Sequence, residues 1–269
     1  MKGIVSFDID MTLLNHADYR VPDSAMRAIE QLRKNYYVVL ATGRDLDTSY
    51  SAGYRELFNP DAIIHLNGTK VEVGGEVIAS HFMDRNLVER VLHFAEGKSF
   101  AVGLTAGSED YFVNPEYVTI HDMRRWGSSD RRFRNPWKLM EMEVRTMTYI
   151  GSEEGRKQVE EAFPELRLPP FSSREGADMI ELGSSKAVGL GRLCTYFDIP
   201  IEKTVAFGDS MNDMEIIEAA GIGVAMGNAD EELKAVADYV TTAIGDDGVW
   251  NACVKLGLIE GTNREEEDG

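Results

Sequence analysis

The chain has 269 residues and a formal net charge of −18. That length allows one large domain or a core with a smaller partner, and that charge disfavours nucleic acid and anionic lipid as partners. Hydrophobic residues make up 43% and charged residues 28%, too apolar for wholesale disorder, while the longest apolar runs, such as Tyr36 to Ala41 and Ile222 to Met226, are far too short to span a bilayer.

The amino-terminal segment runs from Lys2 directly into Gly3 to Ile9, a continuous apolar strand that carries Asp8, and no signal-peptide pattern precedes it. The cytoplasm is therefore the expected compartment. After Pro22, Ala25, Ile29 and Leu32 recur at helical spacing, with Asp23 or Ser24 expected as N-cap; Tyr36 to Thr42 follows as a second strand, completing a βαβ unit. A further helical pattern leads to the strand Ala62 to Asn67, and Val71 to Ala79 alternates around Gly74-Gly75 as a hairpin.

From about Phe82 the order changes. A helix over Leu87 to Glu96, strands over Phe100 to Leu104, Tyr111 to Asn114 and Val144 to Gly151, a helix over Glu154 to Phe163 and a strand over Met179 to Leu182 describe an α+β insert. Alternation then resumes with helix Lys186 to Phe197, strand Thr204 to Asp209, helix Asp213 to Ala220, strand Ile222 to Met226, helix Glu231 to Ala237 and strand Asp238 to Thr241. The expected fold is α/β: a doubly wound, mostly parallel Rossmann-like core built from 1–81 and 184–269, with an inserted α+β cap domain over 82–183. Cys194 and Cys253 lie in apolar helical patterns and read as buried thiols, and Glu265 to Asp268 reads as a solvated, mobile end.

Ligands of such cores bind beyond the carboxyl ends of the strands, where Asp8, Thr42, Asn67 and Asp209 all fall. Asp8-Ile9-Asp10-Met11-Thr12 sets two carboxylates two residues apart, able to face the same side. Taken alone, such a triplet reads as a loop with two solvated acids. Like charges about 4 Å apart repel by roughly 4 kcal/mol at an effective dielectric near 20, so a buried pair calls for a cation or a shared proton. Gly208-Asp209-Ser210-Met211-Asn212-Asp213 closes a second strand and opens a helix, where acids alone would read as caps. Two acidic clusters at the ends of strands of one parallel sheet would face one crevice, which suits Mg²⁺ better than zinc. Thr42-Gly43-Arg44 adds a hydroxyl, a close-approach backbone and a guanidinium, and Lys186 puts an ammonium at a helix start, against the macrodipole. Together these groups could neutralise a phosphate approaching a carboxylate nucleophile.

The order DxDxT, TGR, a single lysine and GDxxND, with an α+β insert, resembles the haloacid dehalogenase superfamily, and within it the Cof-type phosphatases with a C2-type cap. Asn67-Gly68 and Val224 to Ala229 also match, so the resemblance covers essentially the whole chain; Met11 stands where a glycine is usual. The resemblance implies Asp8 as nucleophile and metal ligand, and Asp10 as the acid and then base that also binds Mg²⁺ through its backbone carbonyl. It implies Asp209 as the second carboxylate ligand with Asp213 behind it, and Thr42, Gly43, Lys186 and Asn212 on the phosphate. Arg44 and Asn67 would face the cap or substrate, and Thr12 would keep the loop in place. The implied activity is Mg²⁺-dependent hydrolysis of a small phosphorylated metabolite, a sugar phosphate or phosphorylated cofactor, through an aspartyl-phosphate. A phosphomutase on the same fold, or a non-catalytic metal- and phosphate-binding regulator, are the alternatives.

Within the insert, Arg124, Arg125, Arg131, Arg132, Arg134 and Lys138 surround one acid, Asp130, and are interleaved with Trp126, Phe133 and Trp137. This local reversal of charge reads either as a surface for an anionic or ring-bearing leaving group or as a solvated face paired with acids elsewhere. No motif specifies the substrate or the oligomeric state.

Overall fold

The strand-forming runs are apolar at successive positions rather than alternate ones, as strands covered on both faces must be. In the computed structural model, which describes residues 1–48, 51–171 and 173–261, Gly3–Phe7 (β1) is buried at every position. It is followed by Asp23–Leu32 (α1), Tyr36–Ala41 (β2), Ala52–Phe58 (α2), Ala62–His65 (β3), Lys70–Val73 (β4) and Glu76–Ser80 (β5). The second group of core elements is Lys186–Phe197 (α6), Thr204–Gly208 (β11), Met214–Ala219 (α7), Ile222–Ala225 (β12), Glu231–Val236 (α8), Tyr239–Val240 (β13) and Gly248–Lys255 (α9). Between them lie Arg85–Ala95 (α3), Ala101–Ala106 (β6), Glu109–Val113 (β7), Pro115–Trp126 (α4), Met147–Ile150 (β8), Glu153–Ala162 (α5), Leu166–Arg167 (β9) and Gly176–Glu181 (β10).

Eight strands form one sheet in the order β13-β12-β11-β1-β2-β3-β4-β5. The pairs from β13 to β3 are parallel, and β4 and β5 are added antiparallel as the expected hairpin. The chain winds outward from β1 through β2 and β3 on one side and from β11 through β12 and β13 on the other, which makes the β1/β11 boundary the topological switch point. Five strands form a second sheet in the order β7-β6-β8-β10-β9, antiparallel throughout. Each sheet carries its own apolar core: Phe7 stacks on Phe207 at 4.8 Å in the first, and Phe100, Tyr149 and Val91 are buried in the second.

Several expectations need correction. No side chain caps α1: its N-cap is Pro22, with Asp23 in the first turn and the Ser24 hydroxyl buried. The strand read over Val144 to Gly151 shortens to β8, and that read over Met179 to Leu182 begins earlier, at Gly176. Helix α4 and the short strand β9 were not anticipated, whereas the apolar helical pattern around Cys253 forms α9. In α4 the polar residues Glu116, Thr119, Asp122, Arg124 and Arg125 obscure the apolar period, and Asn114 precedes it in a left-handed conformation (φ 55°) that propensity does not signal. Cys194 and Cys253 are free and buried. The acidic end Glu265 to Asp268 lies outside the described residues.

Candidate active site

Because β1 and β11 run parallel with Phe7 opposite Phe207, the residues that follow each strand emerge side by side. Asp8 and Asp209 are thus neighbouring carboxylates at the switch point, each 5% exposed. Thr12 donates its hydroxyl to Asp209 Oδ1 at 3.2 Å. Met11, in the place usual for glycine, takes φ 60°, so the turn keeps the left-handed geometry that glycine adopts without steric cost.

Lys186, fully buried, donates to Asp8 Oδ1 at 2.7 Å and to Asp213 Oδ1 at 2.6 Å. The other oxygen of Asp213 accepts the backbone N–H groups of Asp209 (3.0 Å) and Ser210 (3.2 Å). Two glycines allow this proximity. A Cβ on Gly208 would lie 2.5 Å from the Asp213 side chain, and one on Gly68 would lie 1.9 Å from the Ser185 carbonyl oxygen, just before Lys186. Three buried acids therefore share one ammonium. Burial pushes the Asp8 carboxyl up to about 7, with Lys186 pulling it back. Burial and the neighbouring Asp8 and Asp213 charges raise Asp209 well above the usual carboxylate range. Burial works against the Lys186 ammonium, but Asp213 and Asp8 outweigh it and hold that pKa above its ordinary value.

Such an excess of buried negative charge fits a cation. Asp8, Asp209 and Asp213 each offer an oxygen within 4.8 Å of the others. Asp213 has both oxygens engaged, whereas among the described residues Asp8 Oδ2 and Asp209 Oδ2 accept no hydrogen bond. Asp8 and Asp209 thus each keep one uncommitted oxygen, whereas Asp213 has none. The Asp10 side chain, by contrast, is outside this cluster.

Asp10 instead meets Arg44, whose Nε and Nη2 reach its two oxygens at 2.7 and 2.6 Å, and His16 Nε2 at 2.7 Å. Burial alone would raise the Asp10 carboxyl, but the Arg44 and His16 hydrogen bonds outweigh it and hold it well below the usual range. Arg44, expected toward the cap or substrate, lines the cavity beneath the second sheet and is also a partner of Asp10. His16 carried no signal in the sequence, since a histidine six residues beyond an acid has no preferred meaning.

Thr42, fully buried, accepts the Arg44 N–H on its hydroxyl at 3.1 Å. Beside Gly43, Asn212 Nδ2 donates to Asn67 Oδ1 (3.0 Å) and Asn67 Nδ2 donates to Asp178 Oδ2 (2.9 Å). A Cβ on Gly43 would sit 3.3 to 3.5 Å from all three polar side chains. Asp178 was missed; it comes from β10 in the second sheet, where an acid in a strand gives no sign of facing a site formed by the first. A second group, Asp45, Asp47 and His65, of which only His65 is buried, has the positions for a metal, but Lys70 and Arg55 already neutralise it through Asp47 and Glu72.

The strand ends open into a cavity of about 450 Å³ closed on the far side by the second sheet and α4. Of the basic segment, only Arg125, Trp126 and Arg131 line it. Arg131 is tied to Asp110 and Asp122, and Arg134 to Glu109, so the segment divides between the two readings.

The sequence model of the haloacid dehalogenase-like hydrolases matches residues 5–253. The 5-amino-6-(5-phospho-D-ribitylamino)uracil phosphatase YcsE of Bacillus subtilis is 31% identical over 261 residues, covering 93% of each chain. The HMP-PP phosphatase of Klebsiella pneumoniae is 27% identical over 256 residues, covering 91% of each. A solved HAD subclass IIB sugar phosphatase superposes with a TM-score of 0.85 at 30% identity, over 96% of this chain and all of that one. With two acidic strand ends, a buried lysine between them and a match along nearly its whole length, the chain belongs to the haloacid dehalogenase-like hydrolase family and is a phosphatase of that family.

Proposed function

We propose that the protein hydrolyses a small phosphorylated metabolite in two transfers, first to Asp8 and then to water, with residues 1–81 and 184–269 as the catalytic core and 82–183 as a cap over the leaving group. The observation that carries this reading is Lys186 Nζ, buried and shared between Asp8 at 2.7 Å and Asp213 at 2.6 Å. It fixes the orientation of the Asp8 carboxylate, whose two oxygens would divide between attack on phosphorus and binding of the metal.

Asp8 and Asp209 would hold Mg²⁺, with the Asp10 carbonyl as a further ligand; the ion would offset the charge of an arriving phosphate dianion. Thr42, the Gly43 backbone, Lys186 and Asn212 would hold the phosphate oxygens, with Thr12 and Asp213 keeping the carboxylates oriented. Asp10 would protonate the leaving group and then take a proton from water. Because Arg44 and His16 hold Asp10 ionised, its acid role requires that grip to loosen as substrate enters. Among the described residues no helix is long and apolar enough to cross a membrane.

The test is phosphate release from p-nitrophenyl phosphate with and without Mg²⁺, followed by borohydride reduction of enzyme quenched during turnover. Reduction of an acyl phosphate at Asp8 yields homoserine, which mass spectrometry detects. Asp8→Asn should be inactive and give no homoserine. Turnover by Asp8→Asn, or trapping at another residue, would remove Asp8 as nucleophile.

A further inference from the structure

Asp178 reaches from β10 of the second sheet to the strand ends of the first, where it heads a chain of amides. Its Oδ2 accepts from Asn67 Nδ2 at 2.9 Å, Asn67 Oδ1 accepts from Asn212 Nδ2 at 3.0 Å, and Asn212 Oδ1 accepts from the Ser210 hydroxyl at 2.8 Å. The chain gathers over Gly43, where an added Cβ would meet Asp178 Oδ2, Asn67 Nδ2 and Asn212 Nδ2 at 3.3 to 3.5 Å. Asp178, Gly43, Ser210 and Asn212 line the cavity, whereas Asn67 is 1% exposed. Asn67 is therefore a link between the cap and Asn212 rather than a surface for a ligand.

The direction of the chain is decided at its cap end. A carboxamide can turn either its oxygen or its NH₂ to a neighbour, and the Ser210 hydroxyl both donates and accepts, so these groups leave the order open. An ionised carboxylate only accepts. Asp178 therefore draws the Asn67 NH₂, the Asn67 oxygen turns to Asn212, and the Asn212 NH₂ is held beside Gly43. The Asn67 main chain is fixed independently, at φ 54° with its N–H donated to the Thr42 carbonyl at 3.0 Å, so the side-chain amide is what remains to be ordered. Burial pushes the Asp178 carboxyl up, while the Asn67 hydrogen bond and the Lys186 and Arg167 charges pull it back toward the accepting form. Asn212 Nδ2 carries two hydrogens and has one acceptor among the described residues, which leaves a hydrogen for an anion in the cavity. The reversed order would set the Asn212 oxygen there instead, opposed to a phosphate.

We infer that Asp178 is a positioning residue: through Asn67 it orders the Asn212 amide, so that this donor is aimed at the phosphate only while the second sheet is seated over the strand ends. This rests on the phosphatase reading above and deepens it, since a residue of the insert then serves the phosphate rather than the leaving group.

The experiment measures kcat/KM of the Mg²⁺-loaded enzyme on acetyl phosphate, p-nitrophenyl phosphate and glucose phosphate, together with competitive inhibition by inorganic phosphate. The parent is compared with Asp178→Ala, Asp178→Asn, Asn67→Gly and the double variant of Asp178→Ala with Asn67→Gly; glycine at 67 keeps the left-handed backbone without strain. Asp178→Ala should lower kcat/KM about ten-fold, alike on every substrate the parent turns over, and weaken inhibition by phosphate to a similar degree. Asp178→Asn, whose oxygen still accepts, should recover most of the loss. The double variant should lose no more than Asn67→Gly alone, because Asp178 acts through Asn67. Where Asp178→Ala does not fold, Asp178→Val, suited to a strand, replaces it in the same comparisons. A loss that spares acetyl phosphate and leaves phosphate inhibition unchanged would put Asp178 on the leaving group and overturn the inference, as would additive losses in the double variant or full activity in Asp178→Ala. Failure of the parent on all three substrates would instead overturn the phosphatase reading, and the inference with it.

Discussion

Arg44 holds Asp10 in a two-pronged grip, Nε on one carboxylate oxygen at 2.7 Å and Nη2 on the other at 2.6 Å. The two residues are 34 positions apart, at the ends of strands β1 and β2, which are paired in the sheet. This geometry separates the roles of the two acids of the DxD triplet. Asp8 is turned toward Lys186 and the acidic cluster, whereas Asp10 is turned toward a guanidinium and a histidine.

Asp10→Asn should therefore spare binding while removing the proton that an alkoxide leaving group needs. The expected loss is about 10²- to 10⁴-fold in kcat on an alkyl phosphate, and much less on p-nitrophenyl phosphate, whose phenolate departs without a proton. Steady-state kinetics on both substrates decide it. Equal losses would make Asp10 a structural residue.

The acidic cluster makes metal-free stability depend on pH. Burial pushes the Asp8 carboxyl up to about 7 in the folded state, against an ordinary aspartate value of about 4 in the unfolded chain, so between those values the folded state binds more protons. Its stability contribution is greatest below the unfolded value and falls as pH rises through the folded one. At the proposed site Mg²⁺ would bind the deprotonated carboxylates, so its gain in melting temperature should be larger at pH about 8 than at about 5.5. Asp209→Ala should lose the Mg²⁺ response and turnover together, yet melt higher than the parent without metal. Melting curves with and without Mg²⁺ at the two pH values check this, and a normal Mg²⁺ response in Asp209→Ala would refute the site.

Asp213 differs from Asp209 in what its loss leaves behind. Asp213→Ala strips Lys186 of one of its two partners and leaves two backbone N–H groups without their acceptor. All of this is buried, so a destabilisation of about 3–5 kcal/mol is expected. Urea unfolding measures it; a loss below about 1 kcal/mol would mean the cluster relaxes around the vacancy.

In the insert, Asp122 is almost fully buried and accepts from Arg131 and Ser129. Burial would raise its carboxyl, but Arg131 outweighs it and the pKa is lowered. The pair thus stabilises the fold above the ordinary aspartate value of about 4, and this contribution is lost as pH falls through the lower folded value. Asp122→Asn should be less stable than the parent at pH 6, with the difference narrowing by pH 3. Urea midpoints at the two pH values test the sign, and a gap that widens toward pH 3 would reverse it.

The amino-acid sequence by itself determined the α/β alternation, the insert that interrupts it and the strands that end in Asp8, Thr42 and Asp209. These features follow from apolar periodicity and from residues within a few positions of one another. Helix α6 begins and ends where the pattern placed it, Lys186 to Phe197. What the tertiary structure alone decided is which of these ends meet. Asp178 reaches Asn67 across 111 positions because the second sheet lies over the ends of the first, and Asn212 reaches Asn67 across 145 because β11 and β3 end on the same side of one sheet. The grip of Arg44 on Asp10, across 34 positions, is of the same kind. Periodicity records which side of a strand or helix is buried, but a side chain's polar partner is chosen by sheet order and by packing between elements distant in the chain.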